Sequence, residues 1–253
     1  YCREAGVRNL QKHLEKIFRK VTLNVAATPG QSVVVTADNL NDYVGLPIYM
    51  SDRYHDRTPP GVVMALAWTS HGGQTMYIES ISSKSSGSPS LRTTGHLGEV
   101  MTESSNIALS FAKSFLEKVS PDSDILDRCA IHMHVPGGGT PKDGPSAGCA
   151  MVTSLLSLAL NRPVMNNLAM TGEITLTGKV LRIGGVREKV IAARRSGCTD
   201  VILPIENRAD FEELPEYIRN GIVPHFCSNY SDIFEIALEH ETPCSTVQER
   251  TTV

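Results

Sequence analysis

The sequence predicts a mixed α/β fold of the α+β kind. Segments with period-two apolar alternation are interspersed with segments of helical apolar spacing, without the regular strand–helix–strand succession of a doubly wound sheet. One run, Ala150 to Leu160, is uncharged and mostly apolar, the pattern of a buried helix. Of 253 residues, 41% are hydrophobic and 20% charged, which suits a globular protein of one large or two small domains.

The first helix is expected over 8–22, where Leu10, Leu14, Ile17, Phe18 and Val21 recur at helical spacing between charged residues. Residues 27–32 read as a linker. Ser32–Thr36, with three successive valines, predicts a short strand, and Asp38 a cap for a short helix to Val44 that Gly45-Leu46-Pro47 ends. Residues 51–60 are expected as loop. Strands at 61–69 and 74–81 flank Ser70-His71-Gly72-Gly73, a hairpin turn. The Ser/Gly-rich stretch 82–90 predicts a mobile loop. A long helix follows over 97–118, with Leu97, Met101, Ala108, Phe111 and Phe115 facing inward.

Residues 128–135 alternate, placing Cys129, Ile131, Met133 and Val135 on one face and His132 and His134 on the other. Two histidines two apart could hold a metal, but no third ligand stands at suitable spacing, so hydrogen bonding or packing is favoured. Beyond the 150–160 helix, strands are expected over 168–176 and 179–183 with Thr177-Gly178 as the turn. Next come a helix over 185–196 ending at Gly197, a strand at 201–203, helical segments near 207–220, a strand at 222–226 and a last helix over 230–239.

The net charge of −3 gives no reason to expect nucleic acid as a partner, and the longest apolar run stops at Asn161-Arg162-Pro163, short of a membrane span. Six scattered cysteines without a CxxC pair read as reduced packing residues of an internal compartment. The chain does not begin with Met, and Tyr1-Cys2-Arg3-Glu4 reads as an interior point of a longer protein.

Chemistry concentrates in Thr140-Pro-Lys-Asp-Gly-Pro-Ser-Ala-Gly148, where a Gly/Pro-rich loop enters the apolar helix. Ser146 there is either a helix N-cap or a nucleophile beside the free N–H groups of a helix N-terminus. Lys189 is the other candidate. On a helix its neighbours three and four residues away are Val186, Ala192 and Ala193, an apolar face. There it either snorkels to water or is desolvated and loses its proton near neutrality, able to deprotonate a serine. Gly144-Pro-Ser-Ala-Gly148 also fits the G-x-S-x-G elbow of an α/β-hydrolase, but that needs a strand leading directly into the serine, and His225 and His240 have no clear role. A binding module with Ser146 as a mere cap is the non-catalytic alternative.

Pro141-Lys-Asp-Gly-Pro-Ser-Ala-Gly148 resembles the serine motif of the Lon protease family, Met170–Gly178 its next signature and Gly184-Gly-Val-Arg-Glu-Lys189 its lysine motif. Arg3–Leu10, Thr58–Val63 with Leu66–Thr69, and Gly95–Met101 are similar too. The resemblance runs from residue 3 to about 239 and is strongest to the mitochondrial type. It implies a Lon-type proteolytic domain of ribosomal-S5-domain-2-like architecture over 27–240. A remnant of the AAA+ small helical subdomain and linker would occupy 1–26, with Arg8 as sensor arginine, and a polar, disordered tail 241–253. It implies Ser146 as nucleophile, Lys189 as general base, Thr171 orienting the lysine, and Asp143 shaping the loop and engaging Lys189 in an inactive form. Trp68 and Pro145 would bind substrate. It further implies unfolded polypeptide substrates, a homo-hexamer, location in the mitochondrial matrix, no cofactor in this chain, and ATP with Mg2+ at an upstream ATPase module. One departure stands out. Val135-Pro-Gly-Gly-Gly-Thr140 has glycines where the family commonly shows Pro-Glu-Gly-Ala, which predicts a more flexible loop.

Overall fold

Five successive residues, Val62 to Leu66, are buried, with Val63 and Ala65 packed into one apolar cluster and Val62, Met64 and Leu66 into another. A strand apolar on both faces needs cover on both, and that requirement builds the domain. A computed structural model describes residues 1–2, 4–28, 30, 32–49, 53–84 and 89–238.

The chain opens with helices α1 (Arg8–Ala27) and α2 (Leu40–Val44), then strands β1 (Val62–Thr69), β2 (Gly72–Lys84) and β3 (Leu91–Thr94). Helices α3 (Glu99–Val119) and α4 (Ile125–Arg128) lead to β4 (Cys129–His134) and α5 (Gly148–Leu160). Short strands β5 (Leu168–Met170), β6 (Glu173–Ile174) and β7 (Val180–Leu181) precede α6 (Val186–Arg195) and β8 (Asp200–Pro204). Helices α7 (Arg208–Glu212) and α8 (Glu216–Arg219), strand β9 (Val223–Cys227) and helix α9 (Tyr230–Ala237) complete it.

Seven strands form one mixed sheet in the order β3-β4-β2-β1-β5-β8-β9, and β6 and β7 pair separately. The β1–β2 hairpin is antiparallel and turns on Ser70-His71, with Thr69 opposite Gly72. From β1 through β5 and β8 to β9 all pairings are parallel. Helices α3, α5 and α9 bury Met101, Phe111, Met151, Leu155 and Ile233 against one face. Helices α6, α7 and α8 cover the other with Val186, Val190, Phe211 and Ile218. The mixed α/β class expected from the sequence is what forms.

Several elements differ from expectation. Residues 32–36 form no strand: Val34 is exposed and the segment has no partner strand among the described residues, so its β propensity is unsupported. The short helix caps at Asn39, not Asp38. The Asn39 amide instead ties the loop, accepting from Thr36 N–H (2.8 Å) and donating to Val34 O (2.9 Å). β2 runs on to Lys84 into the stretch expected as loop; residues 85–88 of it lie outside the described residues. The expected strand 168–176 breaks at Thr171-Gly172 and divides between the two sheets. β3 and α4 were not foreseen. The expected tail 241–253, and residue 239 of the last helix, lie outside the described residues.

Helix α1 buries nothing and leaves Leu10, Leu14 and Phe18 exposed. It rests on α2 through Lys16 Nζ, which donates to Val44 O (3.2 Å), and Lys20 Nζ, which donates to Asp42 O (2.6 Å).

Candidate active site

Helix α5 takes Ala147 as its N-cap, with no side-chain capping bond. Ser146 is therefore not the cap; it stands one residue outside the helix with its hydroxyl free for other work. Its carbonyl accepts from Gly172 N–H (2.8 Å) and from the Thr171 hydroxyl (3.1 Å), which ties the serine to the break after β5. Among the described residues, the backbone N–H groups of Ser146 and Ala147 donate to nothing.

Lys189 lies on the inner face of α6, 2% exposed, beside buried Val186, Ala192 and Ala193. The snorkelling alternative is excluded by that burial. Its Nζ stands 3.1 Å from Ser146 Oγ and 3.0 Å from Thr171 Oγ1. Burial disfavours the ammonium and pushes its pKa down from 10.5 to about 8.

Two glycines allow α6 to lie where it does. Gly185 opens the helix at φ 70°, and a Cβ there would fall 2.9 Å from Trp68 Cβ. A Cβ at Gly73 would run into the Glu188 carbonyl. Around that contact Arg195 Nη2 donates to Gly73 O (3.0 Å), and the Thr75 and Ser196 hydroxyls meet at 2.9 Å. The β1–β2 hairpin thus fixes the helix that carries Lys189.

Thr171 is fully buried. Its N–H continues the β5–β8 ladder to Ile202 O (3.1 Å), while its hydroxyl donates to Ser146 O and accepts from Lys189. Asp143 is directed elsewhere. Its Oδ1 accepts from Met101 N–H and Gly144 N–H, both at 2.9 Å, so its carboxylate sits on the N-terminus of α3 while the Lys189 amine faces two hydroxyls.

Ser146, Lys189, Asp143, Pro145 and Trp68 line one cleft of about 570 Å3; Thr171 lies behind it. Beyond Ala65, which pairs with Met170, the β5-facing edge of β1 has no strand partner among the described residues. Trp68, 61% exposed, stands on this open edge. Lys142 and Arg182 also line the cleft and were not singled out from the sequence. A lone lysine in a Gly/Pro-rich loop was the available signal for the first; Arg182, paired with Asp210 (2.7 Å), carried none.

The other candidates separate from this cleft. His132 Nε2 and His134 Nδ1 both bond the Thr94 hydroxyl, at 2.8 and 2.7 Å. Among the described residues no group of three or more His, Cys, Asp or Glu side chains is placed to hold a metal. No strand runs directly into Ser146, and His225 pairs with Asp200 (2.8 Å), so the α/β-hydrolase elbow has no support; His240 lies outside the described residues. The described cysteines are free thiols, three of them buried, and Cys244 lies outside the described residues.

A mixed α/β domain that sets a serine hydroxyl against a desolvated lysine at the mouth of a buried helix has the geometry of an activated-serine site. Residues 34–240 match the Lon protease (S16) C-terminal proteolytic domain, and residues 1–33 the Lon protease AAA+ ATPase lid domain. The chain is 53% identical over 251 residues to the rat mitochondrial Lon protease homolog, covering 95% of this chain and 26% of that protein. It is 51% identical over 257 residues to the human mitochondrial Lon protease homolog, covering 99% of this chain and 27% of that protein. With the Lon protease of Chlamydia trachomatis it shares 50% identity over 244 residues, 94% of this chain and 30% of that protein. The chain belongs to the Lon protease family. It spans about a quarter of the length of the mitochondrial relatives it matches.

Proposed function

We propose that Ser146 is the nucleophile and Lys189 the general base of a Ser–Lys dyad that hydrolyses peptide bonds through an acyl-enzyme. The 3.1 Å approach of a buried amine to Ser146 Oγ carries this reading. Neutral Lys189 takes the Ser146 proton as Oγ attacks the scissile carbonyl carbon. The oxyanion that forms faces the N–H groups of Ser146 and Ala147. As the C–N bond breaks, Lys189 returns the proton to the leaving amine. Water then gives a proton to Lys189 and attacks the ester, and Ser146 Oγ recovers the proton as the acid product leaves. Thr171 aims the amine: its own proton is committed to Ser146 O, so its oxygen accepts one Lys189 N–H and leaves the lone pair turned to the serine. Asp143, seated on α3, keeps the serine loop in this arrangement and away from Lys189.

Substrate lies extended along the open edge of β1, its main chain pairing as an added strand, with Trp68 and Pro145 forming the walls. Only an unfolded segment can offer its main chain that way, so unfolded or damaged polypeptides are the substrates. None of these steps draws on a cofactor held by this chain. An upstream ATPase module, using ATP and Mg2+, would deliver the substrate, and residues 1–33 are the end of its lid. The working assembly is a homo-hexamer. The relatives are named as mitochondrial, which supports a mitochondrial location; protein quality control in the matrix is the role assigned on this reading. A net charge of −3 gives this domain no general attraction for nucleic acid, and no helix among the described residues is long and apolar enough to cross a membrane.

Cleavage of a fluorogenic unstructured peptide by wild type, Ser146→Ala and Lys189→Ala tests the dyad. Both variants should be folded and silent. Activity that survives in either one excludes the mechanism.

A further inference from the structure

The loop from Pro136 to Pro141 forms one wall of the cleft, yet Gly137, Gly138 and Gly139 give it no side chains with which to pack. A glycine run in water samples many conformations, and holding one costs more entropy than for any other residue. Its backbone carbonyls are the handles left. Lys142 Nζ donates to Gly137 O (2.8 Å), Thr140 O (3.2 Å) and Gly95 O (2.9 Å). A second side chain, His96, reaches the loop through Nδ1 at 3.3 Å from Gly138 O. The Gly95 carbonyl belongs to the turn after β3, so one ammonium joins the glycine loop to the sheet.

The main chain of Lys142 is fixed as well. Its N–H donates to His96 O (3.0 Å) and its carbonyl accepts from Gly98 N–H (2.7 Å). The next residue, Asp143, sits on the N-terminus of α3, and three residues later comes Ser146. An ammonium has three protons, and here three carbonyls take them. Lys142 is therefore saturated and has no donor left for substrate and no free lone pair with which to act as a base.

From this geometry we infer that Lys142 is a positioning residue: by binding three backbone carbonyls it holds the glycine-rich wall and the serine loop in the arrangement that puts Ser146 against Lys189. The inference rests on the Ser–Lys reading and deepens it. It also accounts for how a loop with three glycines keeps one shape beside the nucleophile.

The test replaces Lys142 in the complete protein with Met, Gln and Arg, and measures kcat and KM for an unstructured peptide together with the melting temperature. A loop that lets the nucleophile drift by about 1 Å loses about 100-fold in rate, and Lys142→Met should lose that much in kcat with KM within about threefold. Arg keeps the charge and has five N–H donors, so Lys142→Arg should recover most of the loss. Gln has two neutral donors, so Lys142→Gln should fall between, with all melting temperatures close to wild type. If Lys142→Met does not fold, the order Arg above Gln still decides the matter. A Met variant with wild-type kcat, a loss confined to KM, or an Arg variant no better than Gln would overturn the inference. Activity that survives Ser146→Ala overturns the dyad and this inference together. Activity that needs Ser146 but not Lys142 overturns the inference alone.

Discussion

Each wall of the cleft carries one lysine, and the two are treated in opposite ways. Lys189, on α6, meets two hydroxyls and an apolar helix face. Lys142, on the glycine-rich wall, meets three carbonyls. Burial lowers the pKa of both. Carbonyls, however, only accept, so they reward the charged form, whereas a hydroxyl can donate to a neutral amine equally well. On the proposed reading the same side chain is a fastening on one wall and a proton acceptor on the other, and the acceptors around it decide which.

Exchanging each lysine for arginine breaks the comparison most sharply. A guanidinium stays protonated at any working pH, so Lys189→Arg should be as inactive as Lys189→Ala, a loss of about 10⁴-fold or more in kcat. At Lys142 the same change should leave most of the activity, and a peptide-cleavage assay reads both. Removing the burden of burial at Lys189 gives the next largest effect. Below pH 8 folded and unfolded chains both hold the proton, and the folded state bears the whole desolvation penalty. Between about 8 and 10.5 only the unfolded chain holds it, and stability rises with pH; above 10.5 the penalty is gone. Lys189→Met should therefore be inactive yet more stable at pH 7 by up to about 3 kcal/mol, with the gain vanishing at high pH, as urea unfolding at several pH values would show.

Smaller effects separate the supports. Thr171→Ala removes the oxygen that accepts from the Lys189 amine and, on the proposed reading, should lower kcat by about 10- to 100-fold, while Thr171→Ser keeps it and should stay near wild type. Asp143→Ala takes a carboxylate from the N-terminus of α3 and should cost about 1 kcal/mol in thermal unfolding, with a larger loss in activity if the serine loop swings free.

Much of this was visible in the sequence, for reasons particular to each residue. Lys189 shows itself because a charged residue stands at helical spacing among Val186, Ala192 and Ala193. The α5 run is legible because it lacks charges altogether. Ser32–Thr36 forms no strand because three valines indicate one only if another strand lies beside them, and among the described residues none does. β3 escaped notice because it is four residues long, follows a Ser/Gly-rich run and owes its existence to pairing with β4, which comes later in the chain. The break at Thr171-Gly172 is set by the site: the chain leaves the sheet there to tie itself to Ser146. The partners of Lys142 and Asp143 were hidden for a different reason. They are backbone groups of Gly95, Met101, Gly137, Thr140 and Gly144, and backbone groups carry no sequence signature.

The central claim is that Lys189 works as a neutral base because it is buried. The pH dependence of kcat/KM for an unstructured peptide tests it most directly. The rate should rise tenfold per pH unit at low pH, with one proton released, and level off near pH 8, where the buried amine loses its charge. A limb near 10.5, the ordinary lysine value, or a rate flat from pH 6 to 9, would contradict the claim.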